Sequence, residues 1–292
     1  MSNAYKNSFP KLVGFQTHSF CNSKCIFCPY SRVYKKLSNG FMSETLFKKI
    51  INECTQYNID RIIPYLNNEP FLDIHYITRL KYIRDKLPDT FVELSTNAEL
   101  LNDNIINSLM DLEINEVRLS IFGFEKETYN ALMVDLDYDK VFYNVKRIIE
   151  LKKGRNKTNF KVIMLAANII SNEEINKAVA FYKDNGLDFE KFDILDRAGN
   201  LDNVFGQFSN QKINGNIKGC KWDWPNRQVN ILFNGDVISC CNDWSREFIL
   251  GNITCSSIYD LWNSISYENF WSEGFSKYGC KDHICKRCTV SY

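Results

Sequence analysis

Three cysteines stand at the spacing C-x3-C-x2-C in Phe20-Cys21-Asn22-Ser23-Lys24-Cys25-Ile26-Phe27-Cys28-Pro29, directly after the apolar run Leu12-Val13-Gly14-Phe15. A short loop that turns three thiolates toward one point suits an iron–sulfur cubane. The number of ligands is informative. Three thiolates for four irons leave one iron open to bind a small molecule and pass it an electron. A zinc site completed by His18 is the other chemistry these residues allow. A second group of cysteines lies late in the chain, at Cys220, Cys240, Cys241, Cys255, Cys280, Cys285 and Cys288, and Cys285-x2-Cys288 has the spacing of a metal-gripping pair.

The 292 residues hold eleven cysteines, an odd number unevenly spread, with three near the start and seven after residue 219. A disulfide framework belongs to small secreted domains, so this clustering points to metal in a cytoplasmic enzyme. With 45% hydrophobic and 14% aromatic residues, the chain can bury a large core. Its 36 basic and 35 acidic residues give a formal charge of +1. That balance leaves no electrostatic footprint for nucleic acid or an anionic membrane. No apolar run approaches the roughly 18 residues of a membrane span, and no signal-peptide core is present. The basic run Lys152-Lys153-Gly154-Arg155-Asn156-Lys157 reads as a solvated helix end.

The elements that must position these cysteines alternate along the chain. β-like runs fall at Lys11–Thr17, Arg61–Leu66, Phe91–Thr96, Glu116–Phe122, Asn159–Asn168 and Asp188–Leu195. Amphipathic stretches separate them. In Ser43–Tyr57 the residues Leu46, Phe47, Ile50, Ile51 and Cys54 share one face, which makes Cys54 a core residue. Asn104–Leu112 and Val141–Leu151 carry similar stripes. Ser171 and Glu174 form a capping box opening a helix over Glu173–Asn185, which Gly186 ends. Six β-α units in series predict an α/β fold with a parallel sheet and right-handed crossovers, an open partial (β/α)6 barrel.

In such sheets chemistry collects at the carboxyl ends of the strands, and the polar motifs sit there. The cysteine loop follows the first run, Asn67-Asn68-Glu69-Pro70 the second, and Ser95-Thr96-Asn97-Ala98 ends the third. Arg118-Leu119-Ser120-Ile121-Phe122-Gly123 spans the fourth, Asn168 ends the fifth, and Asp196-Arg197-Ala198-Gly199-Asn200 follows the sixth. Together with the cysteine loop and its aromatic Phe27, this set resembles the radical S-adenosylmethionine (SAM) enzymes over about residues 11 to 200. Asn67-Asn68-Glu69-Pro70 is similar to that family's Gly-Gly-Glu-Pro motif, with asparagine, which tolerates left-handed backbone, in place of both glycines. The resemblance implies a cluster on Cys21, Cys25 and Cys28 whose open iron chelates SAM, and reductive cleavage to a 5′-deoxyadenosyl radical. It further implies SAM contacts from Phe27, Asn68, Glu69, Pro70, Ser95, Asn97, Ser120 and Asn168. Arg197 is placed to pair with a carboxylate or a substrate oxygen.

After Gly199 the composition changes. Residues 1–10 read as a leader, 11–199 as the barrel, 200–219 as a linker and 220–292 as a second unit. In the last, Gln228–Phe233 and Asp236–Ser239 predict a hairpin with Asn234-Gly235 as a two-residue turn, and Ser257–Asn263 a helix. The order of Cys220, Gly235, Cys240 and the late C-x2-C resembles a SPASM domain in its shortened, twitch form. That resemblance implies an auxiliary [4Fe-4S] cluster on Cys220, Cys240, Cys285 and Cys288, with zinc as a structural staple still open. One auxiliary and one catalytic [4Fe-4S] cluster are thus expected. Cys280 stands as a free thiol able to return a hydrogen atom, while Cys241 and Cys255 read as packing.

The short members this chain resembles act on sugar-like alcohols, which implies dehydrogenation or epimerisation of a sugar, cyclitol or other small polyol. An external donor such as flavodoxin or ferredoxin would supply the electron. Only about ten residues precede the first strand, where peptide-modifying members carry a peptide-binding domain. Peptide modification and a non-catalytic iron or zinc scaffold are the alternatives.

Overall fold

A computed structural model of the chain describes residues 7–208, 217–276 and 279–291. Nine strands form one sheet: β1 (Leu12–Phe15), β2 (Arg61–Ile63), β3 (Phe91–Thr96), β4 (Glu116–Ser120), β5 (Asn159–Leu165), β6 (Asp188–Phe192), β7 (Gln228–Ile231), β8 (Asp236–Ile238) and β9 (Ile249–Asn252). Their spatial order is β6-β5-β4-β3-β2-β1-β7-β8-β9. The first six lie in chain order and pair in parallel, with helices in the crossovers, as an open barrel requires. All six predicted strands are present, most of them ending two or three residues before the predicted limit. The residues beyond are the polar loops that carry the motifs.

One pairing was invisible in local sequence. β7 adds in parallel to β1, with Leu12 opposite Gln228 and Phe15 opposite Ile231. The C-terminal hairpin is therefore continuous with the barrel sheet. Its turn differs from the predicted two-residue form. Leu232 N–H donates to Asp236 O at 2.8 Å and Gly235 N–H to Leu232 O at 2.9 Å, leaving Phe233, Asn234 and Gly235 as a three-residue loop. Gly235, at φ +89°, supplies the left-handed residue such a loop needs.

The helices follow their apolar stripes. Glu44–Cys54 buries Leu46, Phe47, Ile50, Ile51 and Cys54, and Ser43 accepts from Leu46 N–H at its start. Half of the predicted capping box at Ser171 forms. Ser171 Oγ accepts from Glu174 N–H at 3.1 Å, but the Glu174 carboxylate instead accepts from Phe124 N–H (2.7 Å), Glu125 N–H (3.0 Å) and Thr128 Oγ (3.0 Å). It thereby caps the neighbouring helix Lys126–Leu132. Gly123, just upstream, has φ +131°, and a Cβ there would lie 2.6 Å from Tyr129 N. Only glycine fits that approach. Within 200–219, predicted as a linker, Asp202–Phe208 is helical; residues 209–216 lie outside the described residues. A second C-terminal helix, Ile265–Phe275, follows the predicted one, observed at Ile258–Trp262. Among the described residues no helix is long and apolar enough to cross a membrane.

Candidate functional site

The loop Cys21–Cys28 leaves the carboxyl end of β1 and is fastened to the segment after the helix Lys126–Leu132. Lys24 N–H donates to Val134 O at 2.9 Å and Ile26 N–H to Leu132 O at 3.0 Å. Cys21 N–H donates to Tyr30 Oη at 2.9 Å, and Cys28 N–H to Cys25 O at 3.1 Å. Ser23 Oγ lies 2.7 Å from Cys25 Sγ. All three thiols are half-buried. Burial pushes them up, Cys25 to about 12, and the charge Cys28 would carry adds to this at Cys21 and Cys25. For Cys28 burial also dominates, opposed by the Tyr30 N–H and the positive charge of Arg197. Three adjacent thiols whose anions are unfavourable without a cation fit iron, which ligates the thiolates and compensates their charge. His18 does not join them. Its Nδ1 accepts from Phe20 N–H at 3.0 Å and its Nε2 faces Asn68 Nδ2 at 3.4 Å, which leaves no ring nitrogen for a metal shared with the cysteines.

Glu69 joins the second and third strand ends. It is 2% exposed and accepts from Thr96 Oγ (2.7 Å), Asn97 N–H (2.8 Å) and Phe71 N–H (3.3 Å). Its own N–H donates to Phe20 O at 3.0 Å. Burial raises its carboxyl to about 7 against those donors. Pro70 opens the short helical turn Pro70–Leu72. Asn97 Nδ2 donates to Asn22 Oδ1 at 2.8 Å, inside the cysteine loop. Ser95 and Ser120 Oγ are 3.2 Å apart on adjacent strands. Glu69 and Asn97 are thus tied to the cysteine loop through Phe20 and Asn22, Pro70 follows Glu69, Asn68 faces His18, and Ser95 and Ser120 meet each other on the neighbouring strand ends. Phe27 is buried and meets the ring of Phe208 edge-on, with centroids 5.4 Å apart. Asn168 is exposed, and its N–H donates to Phe208 O at 3.3 Å; its side chain is not drawn into the set.

Beneath this edge runs a charged ladder that sequence reading missed. Glu93 accepts from Tyr65 Oη (2.9 Å), Arg61 and Arg118 (2.8 Å). Glu116 joins Arg118 (2.6 Å) to Lys161 (2.9 Å), which reaches Glu190 at 3.3 Å. The signal was the alternation of polar residues on faces of strands otherwise buried: Glu93 and Ser95 on β3, Glu116, Arg118 and Ser120 on β4.

The four predicted C-terminal ligands come together. Cys220, Cys240, Cys285 and Cys288 line one cavity, with Ala198 and Asn242 among the other walls. Antiparallel bridging of Cys220 with Ser291 closes the site. Burial raises Cys220, Cys285 and Cys288, the last to about 12, and the contact with Cys241 together with burial raises Cys240. Among the described residues no three His, Cys, Asp or Glu side chains close to the span of a single ion. Cys280 and Cys255 are exposed, and neither they nor Cys241 line the cavity.

Sequence comparison identifies two regions. The Radical SAM superfamily matches residues 15–182, and the SPASM iron-sulfur cluster-binding domain matches residues 220–289. The S-adenosyl-L-methionine-dependent 2-deoxy-scyllo-inosamine dehydrogenase of Niallia circulans is 20% identical over 281 residues, covering 95% of this chain and 92% of its own. The crystal structure of BtrN in complex with AdoMet and 2-DOIA superposes with a TM-score of 0.63 at 18% identity, covering 96% of this chain and 93% of that one. Streptococcus suis SuiB bound to precursor peptide SuiA gives a TM-score of 0.73 at 16% identity, over 98% and 71%.

Proposed function

The chain belongs to the radical SAM superfamily and carries a SPASM-type iron-sulfur domain, and from this we propose that it dehydrogenates a small polyol of the sugar or cyclitol type. Membership implies SAM and a [4Fe-4S] cluster. When bound, these groups supply one-electron chemistry: a 5′-deoxyadenosyl radical to take hydrogen from substrate and, at the C-terminal site, an electron acceptor. In this reading Cys21, Cys25 and Cys28 hold the catalytic cluster, and Cys220, Cys240, Cys285 and Cys288 the auxiliary one. Glu69 fixes the backbone that receives SAM, and Ser95, Ser120 and Asn97 supply hydrogen bonds to it.

The observation that carries the reading is the four-cysteine cavity walled in part by Ala198 of the turn after β6, with no fifth thiol among its walls. Four thiols that line one cavity yet do not close to the span of a single ion suit a cluster better than zinc, whose ligand sulfurs stand about 2.3 Å from one ion. An auxiliary centre ligated only by protein suits electron acceptance, so oxidation is favoured over epimerisation. Tyr65 and Arg118 both pair with Glu93 on β3, polar side chains that suit hydroxyl groups better than the apolar side chains of a peptide. The likeness to a cyclitol dehydrogenase covers nearly the whole chain, in keeping with that choice. The test is anaerobic incubation of reconstituted protein with SAM, reductant and a panel of cyclitols, aminocyclitols and sugars. Formation of 5′-deoxyadenosine with a carbonyl product in equal amount is expected. Turnover of a peptide with none of the polyols would overturn the substrate class, and an epimer with no carbonyl product would overturn the oxidation.

A further inference from the structure

The turn after β6 is joined to the C-terminal site through buried polar groups. Asp196 is 1% exposed. Its carboxylate accepts from Ala198 N–H (3.2 Å), Gly199 N–H (3.2 Å), Thr289 N–H (3.1 Å) and Thr289 Oγ (3.0 Å), so it holds the turn against the residue that follows Cys288. Arg197 and Ala198 are both left-handed, at φ +53° and +54°. Non-glycine residues stay there only when their surroundings over-determine them. The turn aims the Arg197 guanidinium at Asn242, whose Oδ1 accepts from Nη1 at 3.2 Å. Asn242 is itself 1% exposed. Its backbone N–H points to Cys240 Sγ at 3.5 Å and its Nδ2 to Cys288 Sγ at 3.8 Å. Asn242 therefore contacts two of the four sulfurs, Cys240 through its backbone N–H and Cys288 through its side-chain amide, and a cation polarises that side-chain amide from the other side.

We propose that Asn242 and Arg197 are a positioning pair that raises the reduction potential of the centre held by Cys220, Cys240, Cys285 and Cys288. The inference rests on the assignment of an iron–sulfur cluster to those residues. Reduction adds negative charge to a thiolate-ligated centre. N–H groups aimed at its sulfurs and a nearby guanidinium stabilise the reduced form more than the oxidised one. The charge of Arg197 also acts on Cys28 of the other cysteine site.

The test uses full-length protein carrying Cys21→Ala, Cys25→Ala and Cys28→Ala, so that only the C-terminal site holds iron. Its midpoint is read by potentiometric titration with electron paramagnetic resonance. Asn242→Leu keeps side-chain volume and removes the amide; it should make reduction about tenfold less favourable at a fixed potential, a midpoint lower by about 59 mV. Arg197→Gln should shift it in the same direction by a smaller factor, and Arg197→Lys should restore most of the parent value. Unmoved midpoints in Asn242→Leu and Arg197→Gln at full iron content would overturn the pairing. Loss of iron in both variants would show a merely structural role and overturn it as well. Absence of iron in the parent would instead remove the cluster assignment, and the inference with it.

Discussion

Replacing Glu69 with Gln should change how stability depends on pH. The carboxyl is buried, and its folded-state pKa of about 7 lies above the ordinary 4.5. Between those values the folded protein binds the proton and the unfolded chain does not, so stability increases as pH falls from 7 toward 4.5. The contribution is fully present below 4.5 and lost as pH rises through 7. Its size, from that displacement, is on the order of 3 kcal/mol. Glutamine cannot titrate, and every other ionisable group is common to both proteins. Urea unfolding of metal-free, reduced wild type and Glu69→Gln at pH 7.5 and pH 4.5 isolates the effect as a difference of differences. Wild type should gain about 3 kcal/mol on the variant at the lower pH. Parallel pH dependences would refute the burial argument, because the hydrogen bonds from Thr96, Asn97 and Phe71 would then offset desolvation in full.

Gly123→Ala should destabilise by about 3 kcal/mol or more, because its Cβ would meet the backbone of Tyr129; denaturant titration measures this. Asp196→Ala orphans the buried N–H groups of Ala198 and Thr289 and should cost about 3 kcal/mol, with lower iron retention at the C-terminal site by metal analysis. Cys255→Ala and Cys280→Ser, at exposed positions outside the cavity, should keep full iron content and unfold within about 0.5 kcal/mol of wild type.

What the sequence made legible was local or periodic. The six parallel strands, the buried face of Glu44–Cys54 and the cysteine groupings follow from alternation, stripe and spacing, and each stands in the structure. What it hid was made by distant partners. Glu174 sits at the right offset for a capping box yet caps another helix, because the Phe124–Thr128 turn reaches it first. The parallel pairing of β7 with β1 joins residues more than two hundred apart, with no local signal. Asn242 belongs to no motif legible in the chain, and its meaning comes from Arg197, Cys240 and Cys288 around it. The helix Asp202–Phe208 lies in a stretch whose polar composition read as linker, although Phe208 packs on Phe27. Cys280 drew attention as a leftover thiol, and only its exposure in three dimensions separates it from the four that converge.

Two separate cysteine sites, each holding four irons, carry the proposed function. Iron and sulfide analysis of anaerobically reconstituted protein tests this most directly, on wild type, on the Cys21/Cys25/Cys28 alanine variant and on the Cys220/Cys240/Cys285/Cys288 alanine variant. The prediction is about eight irons and eight sulfides in wild type and about four of each in either variant. About four irons and one zinc in wild type, with the zinc lost from the C-terminal variant, would contradict it.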